Sequence, residues 1–167
     1  IPALLAIGTV HHHLNRIRRR LRASLVVETG EARDVHQIAC CFGFGATAVC
    51  PYLGYSTVRQ LAKKHELSPD KAMGNYRKAL EKGLLKIMSK MGISVLNSYQ
   101  GAQIFEAIGI GKEVVDFSFT GVQSKIDGIG FEHIAEESLI RHRAAYEPEV
   151  ADGETLDLGD PGYNRYR

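Results

Sequence analysis

The feature that most constrains the fold is a strand–helix–strand pattern over residues 24–52. The runs SLVVETG (residues 24–30) and TAVCPY (residues 47–52) are short and apolar, and they end at a glycine and a proline. Both are typical of buried strands. Between them, EARDVHQIACCFGFG has apolar residues at helical spacing followed by glycines. Because short connections of this kind favour parallel pairing through a right-handed crossover, the pattern predicts a βαβ unit.

The flanking segments predict several long helices. Pro2 opens a helical run before the βαβ unit. After the unit, a helix is expected over residues 54–67, and Ser68 is the predicted N-cap of a long helix that ends at Gly92. A further amphipathic helix is expected over residues 131–146.

The region between those helices predicts a second unit of strand and helices. ISVLNSY, residues 93–99, is a strand candidate, and GAQIFEAIG, residues 101–109, is expected to be a short helix. Residues 112–119 predict one or two more helical turns. Residues 147–167 are acidic and rich in glycine and proline, which favours an extended linker or arm. The predicted fold class is therefore α/β, with βαβ units of parallel strands in a partial (β/α) barrel-like architecture.

Composition and charge exclude several partner classes. Lys and Arg total 21 against 19 Asp and Glu, so the net charge near +2 gives no case for nucleic acid or an anionic membrane surface. The basic run over residues 16–22 is interpreted as a solvated helix face. No stretch reaches the roughly 18 apolar residues of a transmembrane helix.

Three cysteines, an odd number in apolar surroundings, favour a reducing, cytoplasmic compartment.

The candidate metal ligands do not form a site in the sequence. His11, His12 and His13 are adjacent on a predicted helix and point about 100° apart, so a polar flank with one inward histidine is favoured over metal binding. The cysteines, Cys40, Cys41 and Cys50, are interpreted as buried small hydrophobes and not as cluster ligands. No nucleophile motif or P-loop is present, so no catalytic residue is predicted.

Several strings together resemble one family. They are VHHHL, LVVETGEARDVHQIA, GFGATAVCPYL, NYRKALEKGLLKIMSKMGIS, SYQGAQIFEAIGI and FTGVQSKIDGIGFEHIAEESLIRH. In this order they resemble the large subunit of glutamate synthase, from residue 1 to about residue 142. The resemblance implies that residues 1–67 are the C-terminal part of its central domain. Residues 68–146 would begin its FMN-binding (β/α)8-type domain, and residues 147–167 would be an arm.

What the resemblance implies for function belongs to the longer enzyme. That enzyme makes L-glutamate from glutamine-derived ammonia and 2-oxoglutarate by FMN-dependent reduction, and it holds FMN and a 3Fe-4S cluster. The fragment would be scaffold and ammonia-tunnel wall, without catalysis of its own and without fully binding either cofactor. Its implied partners are the glutaminase and FMN domains of the same subunit, with a small NADPH-dependent subunit or ferredoxin as the further partner. Alone, it would be held by neighbouring segments or by self-association.

Two alternatives stay open in the sequence. The string KIDGIG, residues 125–130, precedes a predicted helix whose N-terminus favours anions, which suggests a free-standing small-ligand binding or regulatory domain. The second alternative concerns Ser98, Gln100 and Gly101, at the predicted C-terminal end of the strand over residues 93–99. They are predicted to bind cofactor, with Ser98 and Gln100 bordering the FMN and 2-oxoglutarate site. The other interpretation is an ordinary strand-to-helix turn capped by Ser98.

Overall fold

The secondary structure of the computed structural model, which describes residues 1–147, is a mixture of helices and short parallel strands. The elements are α1 (Ala3–Arg16), a 3₁₀ turn (Arg20–Arg22), β1 (Val26–Glu28), α2 (Val35–Gly43), β2 (Ala48–Cys50), α3 (Tyr52–Lys64), α4 (Pro69–Lys90), α5 (Leu96–Tyr99), β3 (Glu106–Ile110), α6 (Lys112–Ser118), β4 (Gln123–Ile129) and α7 (Phe131–Tyr146). The predicted α/β class with parallel βαβ units is confirmed, and within residues 1–147 the sheets do not close into a barrel.

The first βαβ unit is the one predicted over residues 24–52. Strands β1 and β2 pair in parallel, with Val27 opposite Val49. Helix α2 forms the crossover and starts at a capping box, in which the Asp34 side chain accepts from the backbone N–H of Gln37 at 2.8 Å. The predicted turn at the glycines is also confirmed, because α2 ends at Gly43 and the chain then enters β2.

A second βαβ unit covers residues 106–129, and the sequence pattern did not predict its strands. Strands β3 and β4 pair in parallel through α6. The predicted strand over residues 93–99 is wrong, since its last four residues form the single-turn helix α5. The predicted helix over residues 101–109 is also wrong, because residues 106–110 form β3. The physical reason is the long-range partner: β4 supplies the ladder that residues 106–110 join, and local spacing does not contain that information.

Helix α1 connects the two units. Its buried Ile7 packs into the core of the first unit with Ile38. On the side of the second unit, the Thr9 hydroxyl lies 2.8 Å from the hydroxyl of Ser118, which is fully buried in α6. The two βαβ units therefore share one helix, and α1 fixes their relative position.

Helix α4 packs across the first unit. Ser68 caps it as predicted, at 3.5 Å from the N–H of Lys71. The Tyr76 hydroxyl donates to the Arg33 carbonyl oxygen at 2.7 Å, and the buried Met88 of α4 packs in one cluster with Ala39 of α2. Helix α4 thus packs against an element on the other side of the predicted boundary at residue 67. The division at that residue stays a prediction, and the predicted arm lies outside the described residues beyond residue 147.

Candidate functional site

Helix α5 anchors the segment that carries the predicted cofactor residues. Tyr99 is 1% exposed and packs with Ala39 of α2 and Met88 of α4. Ser98 is exposed on the same single turn. Burial of Tyr99 therefore sets where the following residues, Gln100 and Gly101, leave the core.

Gln100 and Gly101 are tied to the loop between α2 and β2. The Gln100 Nε2 donates to the Ala46 carbonyl oxygen at 2.6 Å, and the Gly101 N–H donates to the Gly43 carbonyl oxygen at 2.9 Å. Gly101 has φ of +72°, a left-handed conformation that favours glycine. The helix N-terminus that was predicted to start at Gly101 does not form, since the chain reaches β3 only at Glu106. Anion binding by a helix N-terminus is therefore excluded at Gly101.

A polar groove of about 750 Å³ opens beside these two residues. Gln100, Gly101 and Asn97 form one wall, and residues from the end of α1 through the 3₁₀ turn form the other. Ser98 is not among the lining residues. The structure thus brings two of the three predicted cofactor residues into one groove and leaves the third outside it.

Arg20 is the main organising residue of that groove. Its Nε donates to His11 Nδ1 at 3.0 Å, and its two terminal nitrogens donate to the carbonyl oxygens of Ala23 and Gly45 at 2.7 Å each. The prediction of a solvated basic helix face is wrong for Arg20. Helix α1 ends at Arg16, so the 3₁₀ turn folds Arg20 back onto the loop after α2. Sequence reasoning missed this residue because its partners are distant in the chain.

His11 and His12 are both partly buried, whereas His13 is exposed, so the prediction of one inward histidine is wrong. For His11 the effect of burial is the larger. Burial lowers its pKa to about 4, with the neighbouring His12 and Arg20 contributing. The ring is neutral at neutral pH, and its Nδ1 accepts from Arg20, so the proton lies on Nε2. His12 has a lowered pKa for a related reason, burial first and then the charge of Arg16. The groove therefore presents one neutral donor histidine beside a fixed guanidinium.

The cysteines occupy three different environments. Cys41 is buried in the core, which raises its pKa to about 11, and Cys40 lies 3.7 Å from His36 Nε2. Cys50 is exposed at the end of β2, so the prediction that it is a buried hydrophobe is wrong. Its strand alternates exposed and half-buried side chains, and Cys50 falls on the exposed phase. Within residues 1–147, no three His, Cys, Asp or Glu side chains converge to hold a metal ion.

Comparison with known proteins gives the family. The glutamate synthase central domain matches residues 1–111 of the chain. The chain belongs to the glutamate synthase central-domain family. Among related proteins, the glutamate synthase [NADPH] large chain of Bacillus subtilis (strain 168) is 46% identical over 95% of this chain. Ferredoxin-dependent glutamate synthase 2 of Synechocystis sp. is 47% identical over 100% of it.

The glutamate synthase relatives are much longer than this chain. The match covers 10% of the Bacillus protein and 11% of the Synechocystis protein. Glutamate synthase [NADH] of Schizosaccharomyces pombe is 42% identical over 100% of this chain and 8% of its own length. The resemblance seen in the sequence strings is thus confirmed, and the chain spans about a tenth of the length of these relatives. The cofactor role of Ser98, Gln100 and Gly101 stays a prediction.

Proposed function

We propose that the chain is a segment of a glutamate synthase that makes L-glutamate from glutamine-derived ammonia and 2-oxoglutarate. In this proposal the segment is scaffold and ammonia-tunnel wall and has no catalysis of its own. The observation that carries it is the match of residues 1–111 to the central domain, with 46–47% identity to two proteins named glutamate synthases. Three free cysteines are in keeping with a cytoplasmic enzyme.

The surface of the chain supports a scaffold role inside a longer protein. An apolar groove of about 820 Å³ lies between α1 and α7, and its walls include Val10 and Leu139, which are 45% and 56% exposed. No residue of α7 is buried. Within residues 1–147 each sheet has only two strands, although parallel sheets are normally covered on both faces. We propose that the glutaminase and FMN domains of the same subunit cover these surfaces. In the described range, no helix has the length and apolarity to cross a membrane.

The electron donor is proposed to act elsewhere in the enzyme. Relatives named for NADPH, ferredoxin and NADH share this segment at 42–47% identity. A segment that selected the donor would be expected to differ more among them. A small NADPH-dependent subunit or ferredoxin, whichever serves this enzyme, is therefore proposed to dock outside residues 1–147.

The two expected cofactors fit this segment differently. A 3Fe-4S cluster needs cysteines that converge, whereas Cys40, Cys41 and Cys50 occupy separate environments. We therefore place the cluster in other domains. An FMN is compatible with the groove, since Gln100 and Gly101 line it beside Arg20 and the amide of Asn97. When bound in the complete enzyme, FMN supplies the hydride that reduces the imine of the oxoacid.

The residues proposed to border the FMN and 2-oxoglutarate site are Ser98 and Gln100, with Gly101 allowing close backbone approach. Gln100 is the stronger of the two, because its Nε2 is fixed on Ala46 and its Oε1 is left to accept from a ligand. Ser98 is exposed one residue before Tyr99 and lies outside the groove, so it would meet a ligand that extends past the wall.

The test replaces Gln100 with Ala in the full-length enzyme. The expected result is a lower FMN content or a higher Michaelis constant for 2-oxoglutarate. The hydrogen bond to Ala46 is also lost, so the free energy of unfolding should fall by about 1 kcal/mol, which a lower thermal midpoint would report. Gln60→Ala is the matched control, because Gln60 is exposed on α3 and lies outside the groove. Wild-type FMN content and Michaelis constant in Gln100→Ala would assign Gln100 to the fold alone.

A further inference from the structure

The charged side chains that line the polar groove beside Gln100 are all basic. Eleven residues line it, and none is Asp or Glu. They include His11, Asn15, Arg20, Arg22, Asn97 and Gln100. A groove that presents guanidinium, amide and imidazole groups without a carboxylate is complementary to an anion.

The surrounding chain does not neutralise that charge. Residues 1–27 contain five arginines and no acidic residue. In the described range, every ion pair joins residues from Arg77 onward, and none involves residues 1–27. Arg16 is held against the Phe117 ring at 5.2 Å, and Arg20 donates to neutral acceptors. The arginines at the groove therefore form no ion pair with an acidic side chain of residues 1–147.

The donors of the groove are partly fixed in place. Three hydrogen bonds orient Arg20, and the bond from its Nε leaves the His11 proton on Nε2. That Nε2 lies against Gly101, 3.6 Å from where a Cβ at that position would be. Arg22 lines the same groove, and its side chain has no hydrogen-bond partner within residues 1–147. A fixed guanidinium beside a free one is suited to a group with several oxygens.

We propose that this groove is an oxyanion site, which takes a phosphate group or a carboxylate. Arg22 supplies the charge-assisted hydrogen bonds, and Arg20 fixes the wall. The remaining oxygens accept from His11 Nε2, from the Asn97 amide nitrogen and from the second Nε2–H of Gln100. The site is independent of a helix N-terminus, because the structure has none at Gly101. It does not depend on the FMN assignment, since inorganic phosphate carries the same chemistry.

The test titrates inorganic phosphate into the ¹⁵N-labelled 167-residue chain and follows backbone amide shifts. Saturable shifts centred on His11, Gln100 and Gly101 are expected. Arg22→Gln should weaken binding about tenfold, the size expected for losing one charge-assisted hydrogen bond. Arg19→Gln is the matched control, because it removes the same charge three residues away but does not line the groove. It should weaken binding less than about threefold.

The same titrations can also overturn the site or identify its ligand. Shifts that do not saturate, or equal weakening by Arg19→Gln and Arg22→Gln, would overturn the site in favour of a diffuse charge effect. Parallel titrations with FMN, riboflavin and 2-oxoglutarate distinguish the sources, since riboflavin lacks the phosphate. Tighter binding of FMN than of riboflavin assigns the groove to a phosphate, and tighter binding of 2-oxoglutarate than of phosphate assigns it to a carboxylate. Because this experiment uses the isolated chain, its failure is separable from a failure of Gln100→Ala in the full-length enzyme.

Discussion

Helix α4 contains two glycines that make opposite predictions for the same substitution. A Cβ at Gly83 would lie 2.5 Å from Cγ1 and 3.0 Å from Cβ of Val35, in the first turn of α2. A Cβ at Gly74, nine residues earlier in the helix, would meet nothing within 4 Å. Gly83 therefore lies where α4 packs tightly against α2, and Gly74 is a matched control in the same helix.

The magnitudes follow from two opposing terms. Replacing a helical glycine with alanine stabilises a helix by about 0.5–1 kcal/mol, because the unfolded chain loses conformational freedom. At Gly83 this gain meets an overpacking cost of about 1–3 kcal/mol, since a β-branched valine has few alternative rotamers. Gly74→Ala is thus expected to raise the free energy of unfolding by about 0.5–1 kcal/mol. Gly83→Ala is expected to lower it by roughly 0.5–2 kcal/mol.

Urea unfolding of the chain, followed by circular dichroism, measures both changes. The double variant Val35→Ala with Gly83→Ala provides the mechanism test, because the smaller side chain leaves room for the new methyl group. We expect the pair to lose less than the sum of the two single changes. If Gly83→Ala stabilises the chain as much as Gly74→Ala does, α4 does not approach α2 as described.

Two further predictions concern the groove. Arg20→Lys should lower the free energy of unfolding by about 1–3 kcal/mol, because one ammonium cannot reach all three acceptors. Urea unfolding measures this against the control Arg19→Lys, and equal effects would contradict it. For His11, the folded pKa of about 4 lies below the ordinary value of 6.5, so the unfolded chain binds more protons between those values. Stability should therefore fall as pH drops from 6.5 towards 4. His11→Gln should reduce the change in urea midpoint between pH 7 and pH 5. An unchanged pH dependence in this variant would refute the lowered pKa of His11.

The part of the fold that sequence could predict is the part set by local patterns. The helical spacing of α2, the N-cap at Ser68 and the β-branched runs of the first unit all act within a few residues. Residues 93–110 differ, because their structure depends on distant partners. Residues 93–99 were a strand candidate in the sequence, yet burial of Tyr99 against α2 and α4 stabilises a helical turn. Residues 106–110 are a strand because β4 pairs with them.

Single residues of the groove were also hard to predict where their roles depend on partners distant in the chain. Gln100 and Gly101 were selected because they lie at the C-terminal end of a predicted strand, and that criterion also selected Ser98, which the structure leaves outside the groove. Arg20 was not found, because its role depends on contacts with His11 and Gly45, up to 25 residues away. A cluster of arginines gives no sign in the sequence of which member turns inward.

The central claim is that this chain is a non-catalytic segment of a glutamate synthase. The most direct measurement compares the isolated 167-residue chain with the protein from the complete reading frame that contains it. Each is supplied with glutamine, 2-oxoglutarate and a reductant, and glutamate formation and glutamine hydrolysis are recorded separately. We predict that the complete protein forms glutamate and that the isolated chain shows neither reaction. Turnover by the isolated chain, or a complete protein that forms no glutamate with any of NADPH, NADH or reduced ferredoxin, would contradict the account.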